Sequence, residues 1–382
     1  MSSEWKMVRL GDCATFINGK AFKPSEWSNT GIPIIRIQNL TGSSCDTNYY
    51  EGDVEDRYKV YNDDILISWS ASLGVFVWNR GEAVLNQHIF RVEFNKLAID
   101  KRYFYYLVKN SLDAMALQTH GATMKHITKG KFDNIKVPYF SISKQREIAA
   151  VLDKASELVE KRKAQLAELD RLAESIFYDM FGDPVTNPKG WEKKKLNVLG
   201  RIERGKSKHR PRNAPELLGG KYPLIQTGDV ANSDLYIEKY DQTYSDLGLA
   251  QSRMWDRGTL CITIAANIAK TSILSFNACF PDSVVGFVSY ENTNSIFIHY
   301  WFSFFQEIIE KQAPEVAQKN INLAILSDLD IITPSFLLQQ QFAERIEKIE
   351  VQKTKVKAAL KESEDLFQRL MQDMFKPGND NI

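Results

Sequence analysis

The sequence predicts an α+β fold built twice: two similar globular domains, each followed by a long amphipathic helix, with the two helices pairing as an antiparallel coiled coil. Three observations carry this expectation. Blocks of residues recur in the same order roughly 190 residues apart. Short apolar runs alternate with polar residues between Asn, Gly, Asp and Ser turns. Two long stretches contain no Gly or Pro and keep an apolar residue every third or fourth position.

The repeat runs the length of the chain. Trp5 and Leu10 return as Trp191 and Leu196, and Gly19-Lys20 as Gly205-Lys206. Ile32 to Leu40 (IPIIRIQNL) matches Tyr222 to Val230 (YPLIQTGDV), and Asp64 to Gly74 matches Thr259 to Ala269. Tyr103 to Leu107 then matches His299 to Ser303, Met124 to Ile127 matches Gln318 to Ile321, and Pro138 to Gln145 matches Pro334 to Gln341. Each match is weak alone; chance would not preserve their order. A period this long exceeds that of solenoid repeats, so each copy is a domain plus its connection.

Within the first copy, Ile32 to Ile37, Ile65 to Trp69, Val75 to Trp78 and Ile89 to Val92 read as strands, and Tyr103 to Leu117 as a helix matched by Ile298 to Lys311. The helical stretches follow. In the first, Ile148, Leu152, Leu166, Leu169 and Ile176 mark the seam, broken only by Arg162. In the second, Ile346, Ile349, Val356, Leu360 and Leu370 mark it, with Gln352/Lys353 and Ser363 as polar breaks. Gly182-Asp183-Pro184 and Pro377-Gly378 stop the two helices. An isolated helix of this length leaves its seam wet, so the two are expected to cover each other. At ~1.5 Å per residue each is about 55 Å long. The expected divisions are a domain over 1–142, a helix over 143–182, a second domain over 183–338, a second helix over 339–376 and a tail over 377–382. Two similar heads on a rigid, approximately twofold spacer suit a polymer with a repeat, and duplex DNA is the candidate.

The chemistry of the chain favours binding over catalysis. Its 382 residues carry a formal net charge of +1, which excludes a uniformly basic coat but not local basic patches. No apolar run is long enough for a membrane span, and the first residues lack a signal-peptide pattern. Cys13, Cys45, Cys261 and Cys279 lie far apart, so neither a disulfide scaffold nor a Cys-based zinc site is expected, and a cytoplasmic location fits. The five histidines form no metal-ligating spacing. Gly200 to Ser207 fits the phosphate-loop pattern, but Pro211 and Pro215 deny it the helix that would bind phosphate. No acid, base or nucleophile recurs in both copies, so neither a catalytic residue nor a metal site is assigned.

Basic and polar residues carry the binding signal. Between Lys189 and Arg212 stand ten Lys/Arg against Glu192 and Glu203, a density that suits phosphate contact. Lys206, Lys208, Arg210 and Arg212 are the candidates there, and Lys20, Lys125, His126 and Lys129 in the first copy, with Lys319 and Asn320 matching Lys125 and His126. Arg36, Gln38 and Asn39, and Gln226 and Thr227 at the matching place, have the chemistry to read base edges. Each fits a solvated strand face equally well.

The motifs together resemble the specificity subunits of type I restriction-modification systems. Those motifs are the W-x4-L opening of each copy, P-x-I with a polar segment after it, DILIS, NQHIFRV (Asn86 to Val92), the P-x6-Q entry to each helix, and DMFGDP (Asp179 to Pro184) echoed by DMFKPG (Asp373 to Gly378). The second copy departs where Pro281 to Val288 reads PDSVVGFV. The resemblance implies two target recognition domains that each read half of a bipartite double-stranded DNA target, with helical spacers that fix the gap and dock two methyltransferase subunits. It implies no cofactor in this chain. S-adenosylmethionine would belong to the methyltransferase partner, and ATP and magnesium to restriction (motor-nuclease) subunits that complete an adenine-methylating endonuclease. The other readings are a coiled-coil scaffold without a DNA role, a specificity subunit of a related type II-like restriction-methylation enzyme, and an enzyme with a cryptic active site.

Overall fold

The computed structural model describes residues 5–43, 46–118, 127–209, 211–265, 268–305 and 321–376. It divides into two compact units, 1–162 with 359–382, and 163–358.

In the first unit, strand Trp5–Arg9 pairs antiparallel with Lys136–Phe140. A four-stranded sheet runs Thr15–Asn18, Ile89–Glu93, Ile65–Ser68, Gly74–Val77, and a second runs Asn48–Tyr50, Ile32–Ile35, Ala83–Leu85, Lys59–Val60. Helix Lys101–Gln118 packs on the first sheet. The second unit repeats this plan. Lys193–Lys195 pairs with Asp330–Ile332. One sheet runs Gly200–Arg204, Val284–Ser289, Leu260–Thr263, Thr271–Leu274, with Tyr236–Ile237 added at its edge. The other runs Gln242–Tyr244, Leu218–Leu224, Ala278–Cys279, Met254–Trp255. The parallel pairing of the central strands recurs as well, Ile34 with Val84 and Leu224 with Cys279. The duplication is therefore one of topology, not only of sequence.

One glycine explains why each copy keeps Gly-Lys after its first long strand. The Gly19 and Gly205 amides donate to the Ile89 and Val284 carbonyls. A Cβ on Gly19 would lie 2.2 Å from the Asn86 oxygen, and one on Gly205 2.3 Å from that of Phe280. These bonds equate Ile89 with Val284, so Asn86 corresponds to Pro281.

Later in each copy the structure shifts the sequence match by two residues. The buried Gln145 amide accepts from Asp100 N at 2.8 Å and donates to the Phe140 carbonyl at 2.8 Å. Gln339, not Gln341, does the same with Asn294 N and the Pro334 carbonyl, at 3.0 and 2.9 Å. Tyr103 accordingly corresponds to Phe297 rather than His299. The helix expected over Ile298 to Lys311 starts earlier, at Ser295, because Asn294 caps it through the Ile296 and Phe297 amides; it is assigned through Phe302, and residues 306–320 lie outside those described.

The long helices span Ile142–Phe181 and Phe336–Met374. In the second unit, Ala173, Phe177 and Phe181 share a core with Phe342, Ala343, Ile346 and Ile349, and with Phe297 and Trp301 of the head. Phe177 meets Phe342 with ring centroids 5.6 Å apart, while the earlier Asp170 meets the later Lys353, so the pair is antiparallel. In the first unit, Ile148, Leu152, Ala155 and Val159 join Phe367, Met371 and Met374 under Tyr103 and Phe104. Among neighbouring apolar residues along the helices, Val159, Ala173 and Phe367 are buried while Leu158, Leu172 and Leu366 are exposed, and Leu152 is buried beside the half-buried Val151. Among the other seam residues, Val356 is buried, and Leu169, Ile176, Leu360 and Leu370 pack partly against the cores. Leu166 departs from the expectation: it is half-buried and belongs to neither core.

Candidate nucleic-acid interface

The proposed reading segments are not strand ends. Each central strand, Ile32–Ile35 or Leu218–Leu224, is followed by a short helix, Ile37–Thr41 or Thr227–Asn232. The residue that caps it is Arg36 in one copy and Gln226 in the other. In both, the side chain three residues on closes the cap: Asn39 Oδ1 accepts from Arg36 N at 3.0 Å, and Asp229 Oδ2 from Gln226 N at 2.6 Å. Asn39 is buried, and its amide also donates to the Asp46 carbonyl at 2.9 Å. Its polar groups thus serve the fold. Thr227 is half-buried in the first turn of its helix.

Arg36 and Gln38 line a cavity of about 300 Å³ with Thr41, Asn86 and His88. The Arg36 guanidinium lies over the Trp27 ring at 5.2 Å and donates to the Asp46 carbonyl at 3.2 Å. Gln226 donates through Nε2 to Gln242 Oε1 at 3.2 Å. Beside this wall, Lys20 forms an isolated bridge to Asn86. Its ammonium donates to Tyr50 Oη at 3.0 Å and sits 4.3 Å over that ring, and this hydrogen bond raises its pKa. Trp27 and Tyr50 were not among the sequence candidates. The apolar alternation around them gave no hint that an aromatic face would carry a cation.

The basic run from Lys189 to Arg212 is less available than its composition suggested. Lys189 donates to the Asp179 and Met180 carbonyls at the end of the first long helix, where a cation complements the helix dipole. Lys194 pairs with Glu192, Lys195 with Asp328 and Asp330, and Arg201 with Glu203. Arg204 donates to the Asp282 carbonyl, and Arg212 forms an ion pair with the Asp282 carboxylate. Lys206, Lys208 and Lys129 are exposed. Lys125, His126, Arg210, Lys319 and Asn320 lie outside the described residues. Gly200–Arg204 is a strand and 205–208 form no helix, so no phosphate loop exists there.

Charge is also used where head meets helix. In the second unit Lys353, 6% exposed, pairs with Asp170 of the facing helix at 2.8 Å, Glu350 at 3.1 Å and Asp234 of the head at 3.9 Å. Burial alone would lower the Lys353 pKa; Asp170, Glu350 and Asp234 outweigh it and hold the ammonium above its ordinary value. The sequence marked Lys353 only as a break in the seam. In the first unit a different set spans the corresponding joint: the Arg102 guanidinium and the Tyr106 hydroxyl both bind Asp153 on the long helix.

The duplicated heads, each carrying the same capped turn and mounted on paired helices, find their match among known proteins. The family described as "Type I restriction modification DNA specificity domain" matches residues 2–171 and again 188–363. The chain belongs to this family. It is a specificity subunit of type I restriction-modification systems. It is 23% identical over 376 residues to the EcoBI specificity subunit of Escherichia coli, covering 90% of this chain and 79% of the relative. It is 22% identical over 385 residues to the MjaVIII specificity subunit of Methanocaldococcus jannaschii, covering 91% and 86%. Its fold is similar to the crystal structure of a type I system S subunit from M. genitalium, with TM-score 0.57 and 13% identity over 98% of this chain and 96% of that one. A structure determined for complex assembly and conformational transition of a type I system matches with TM-score 0.58 and 14% identity, covering 98% of both chains. No described helix of this specificity subunit is long and apolar enough to cross a membrane. No cluster of three or more metal-ligating side chains occurs among its described residues.

Proposed function

We propose that each head of this specificity subunit reads one half of a bipartite, asymmetric double-stranded DNA target, while the paired helices set the gap and dock two methyltransferase subunits. The observation that carries this reading is the recurrence of one strand order and one capped reading turn in both heads, with different side chains at the turn. Equal frames with unequal side chains suit two different half-sites, whose centres would stand on the order of one helical turn apart. Lys20, Lys129, Lys206 and Lys208 are proposed as phosphate contacts, with Lys125, His126, Arg210, Arg212, Lys319 and Asn320 as further contacts on the same reading. Gln38 and Thr227 flank the base-reading positions. Leu172 and Leu366 stand at equivalent places on the two helices and are 46% and 41% exposed, which supports docking of two copies of one partner.

On this reading the chain supplies no catalytic group and binds no cofactor. S-adenosylmethionine and the adenine-N6 methylation belong to the methyltransferase subunits, and ATP, magnesium and DNA cleavage to motor-nuclease subunits that join them. The site of action is the cytoplasm. The test is to assemble the chain with its methyltransferase subunits and sequence the methylated positions in host DNA. A two-part motif with a fixed gap is expected. Lys206→Ala should weaken binding to all sequences alike and lower its salt dependence, as loss of a phosphate contact does. A complex that binds DNA with no salt dependence, or methylates no defined motif, refutes the proposal.

A further inference from the structure

The position that caps the reading turn holds arginine in one head and glutamine in the other. Arg36 and Gln226 follow equivalent strands, start equivalent helices and are fixed by the same backbone bond to the residue three places on. Their Cα atoms thus occupy the same place in each head while their side chains present different base-edge chemistry. A guanidinium matches the paired O6 and N7 acceptors of guanine. A carboxamide matches the N6 donor and N7 acceptor of adenine.

We propose that Arg36 reads a guanine in the half-site of the first head and Gln226 an adenine at the corresponding place in the half-site of the second. This rests on the reading of each head as a DNA reader and adds to it the identity of one base in each half. Both side chains are held in a way that suits the task. The Arg36 guanidinium lies 5.2 Å over the Trp27 ring, and the Asp46 carbonyl and the Gln38 side-chain oxygen accept from its terminal nitrogens, so less rotamer freedom is lost on contact. Gln242 accepts from the Gln226 amide nitrogen at 3.2 Å, which restrains the carboxamide. Arg36 also faces an open cavity beside Gln38 and His88. In the second head Gly228 replaces Gln38, and nothing lies within 4 Å of where its Cβ would be, so a base edge has room to approach Gln226.

The decisive experiment compares methylation motifs of the complex assembled with the native chain, with Arg36→Gln and with Gln226→Arg. The native motif should contain a guanine in one half and an adenine in the other. Arg36→Gln should lower selectivity for that guanine on the order of tenfold to 100-fold and leave the other half unchanged. Gln226→Arg should do the same for the adenine and shift preference there toward guanine. Should Arg36→Gln fail to fold, Gln226→Arg decides alone. A native two-part motif that neither substitution alters, or that both alter across the two halves alike, overturns this assignment while the wider DNA reading stands. Absence of any two-part motif in the native complex overturns that wider reading instead.

Discussion

Removing the Lys353 side chain tests whether the buried charge set holds the second head on its helices. In Lys353→Ala, Asp170 and Glu350 lose their cation, while Asp234 keeps its closer ion pair with Lys357. Breaking a fully buried ion pair costs about 3–5 kcal/mol. Here the Asp170 and Asp234 side chains are 58% and 41% exposed and regain water, while Glu350 is only 16% exposed. A cost of about 2 kcal/mol follows, or a fall in Tm of about 4–8 °C for a unit of this size. Lys353→Met keeps the buried stem and loses only the charge, so it should cost roughly half as much. Urea unfolding followed by tryptophan fluorescence measures both, and amide exchange along the helix near Lys353 localises the effect. The double-mutant cycle of Lys353→Met with Asp170→Asn should show a coupling of about 1 kcal/mol. Undiminished stability in Lys353→Met together with zero coupling would refute the assignment, leaving the lysine a tolerated polar break in an otherwise apolar seam.

Three further outcomes follow from the same geometry. Burial raises the Glu350 pKa despite the adjacent Lys353. A carboxyl whose folded pKa exceeds its unfolded one costs stability above that folded value and nothing below its unfolded one. Glu350→Gln should therefore be more stable than the native chain at pH 7, and the difference should vanish as pH falls below about 4.5; denaturation midpoints across pH 4–8 measure it. Gln145→Ala or Gln339→Ala strands one backbone amide and one carbonyl at a helix entry and should each cost about 3 kcal/mol by chemical denaturation. Phe177→Ala, emptying a site that touches Phe181, Phe297, Phe304 and Phe342, should cost about 4 kcal/mol, whereas Leu166→Glu, half-buried and outside both cores, should cost about 1 kcal/mol. Equal losses would mean that the seam runs through Leu166 after all.

The features legible in the sequence were those written as a pattern over many residues. The heptad stripe located both long helices, because each turn adds the same information and single errors cancel. The order of the repeated blocks exposed the duplication for the same reason. Register was harder. Apolar residues at the strand and helix junctions recur closely enough that a two-residue shift looks equally good, so Gln341 was matched where Gln339 belongs. Only the hydrogen bonds from Asn294 N and to the Pro334 carbonyl distinguish them. The short turns after the central strands are hard to read for a related reason. Asn39 and Asp229 are polar because they close helix caps, and a cap of one short turn leaves no periodic trace. The basic run from Lys189 to Arg212 looks free in the sequence because the acids that meet Lys195 and Arg212, Asp328, Asp330 and Asp282, lie far along the chain.

The places where the two copies agree and where they differ separate two kinds of demand. Gly19 with Gly205, and Gln145 with Gln339, sit where a backbone group must be met at a fixed distance, and few other side chains can meet it. Those positions stayed the same. The contact between head and helix needs only some charge pair, so one unit uses Arg102, Tyr106 and Asp153 while the other uses Lys353, Asp170 and Asp234. The capped turn demands even less of its capping side chain, since the cap bond runs through the backbone of Arg36 or Gln226. A residue whose main chain does the structural work leaves its side chain open to change without loss of fold. If each head reads its own half-site as proposed, target preference can therefore change at the turn while the long helices remain as they are.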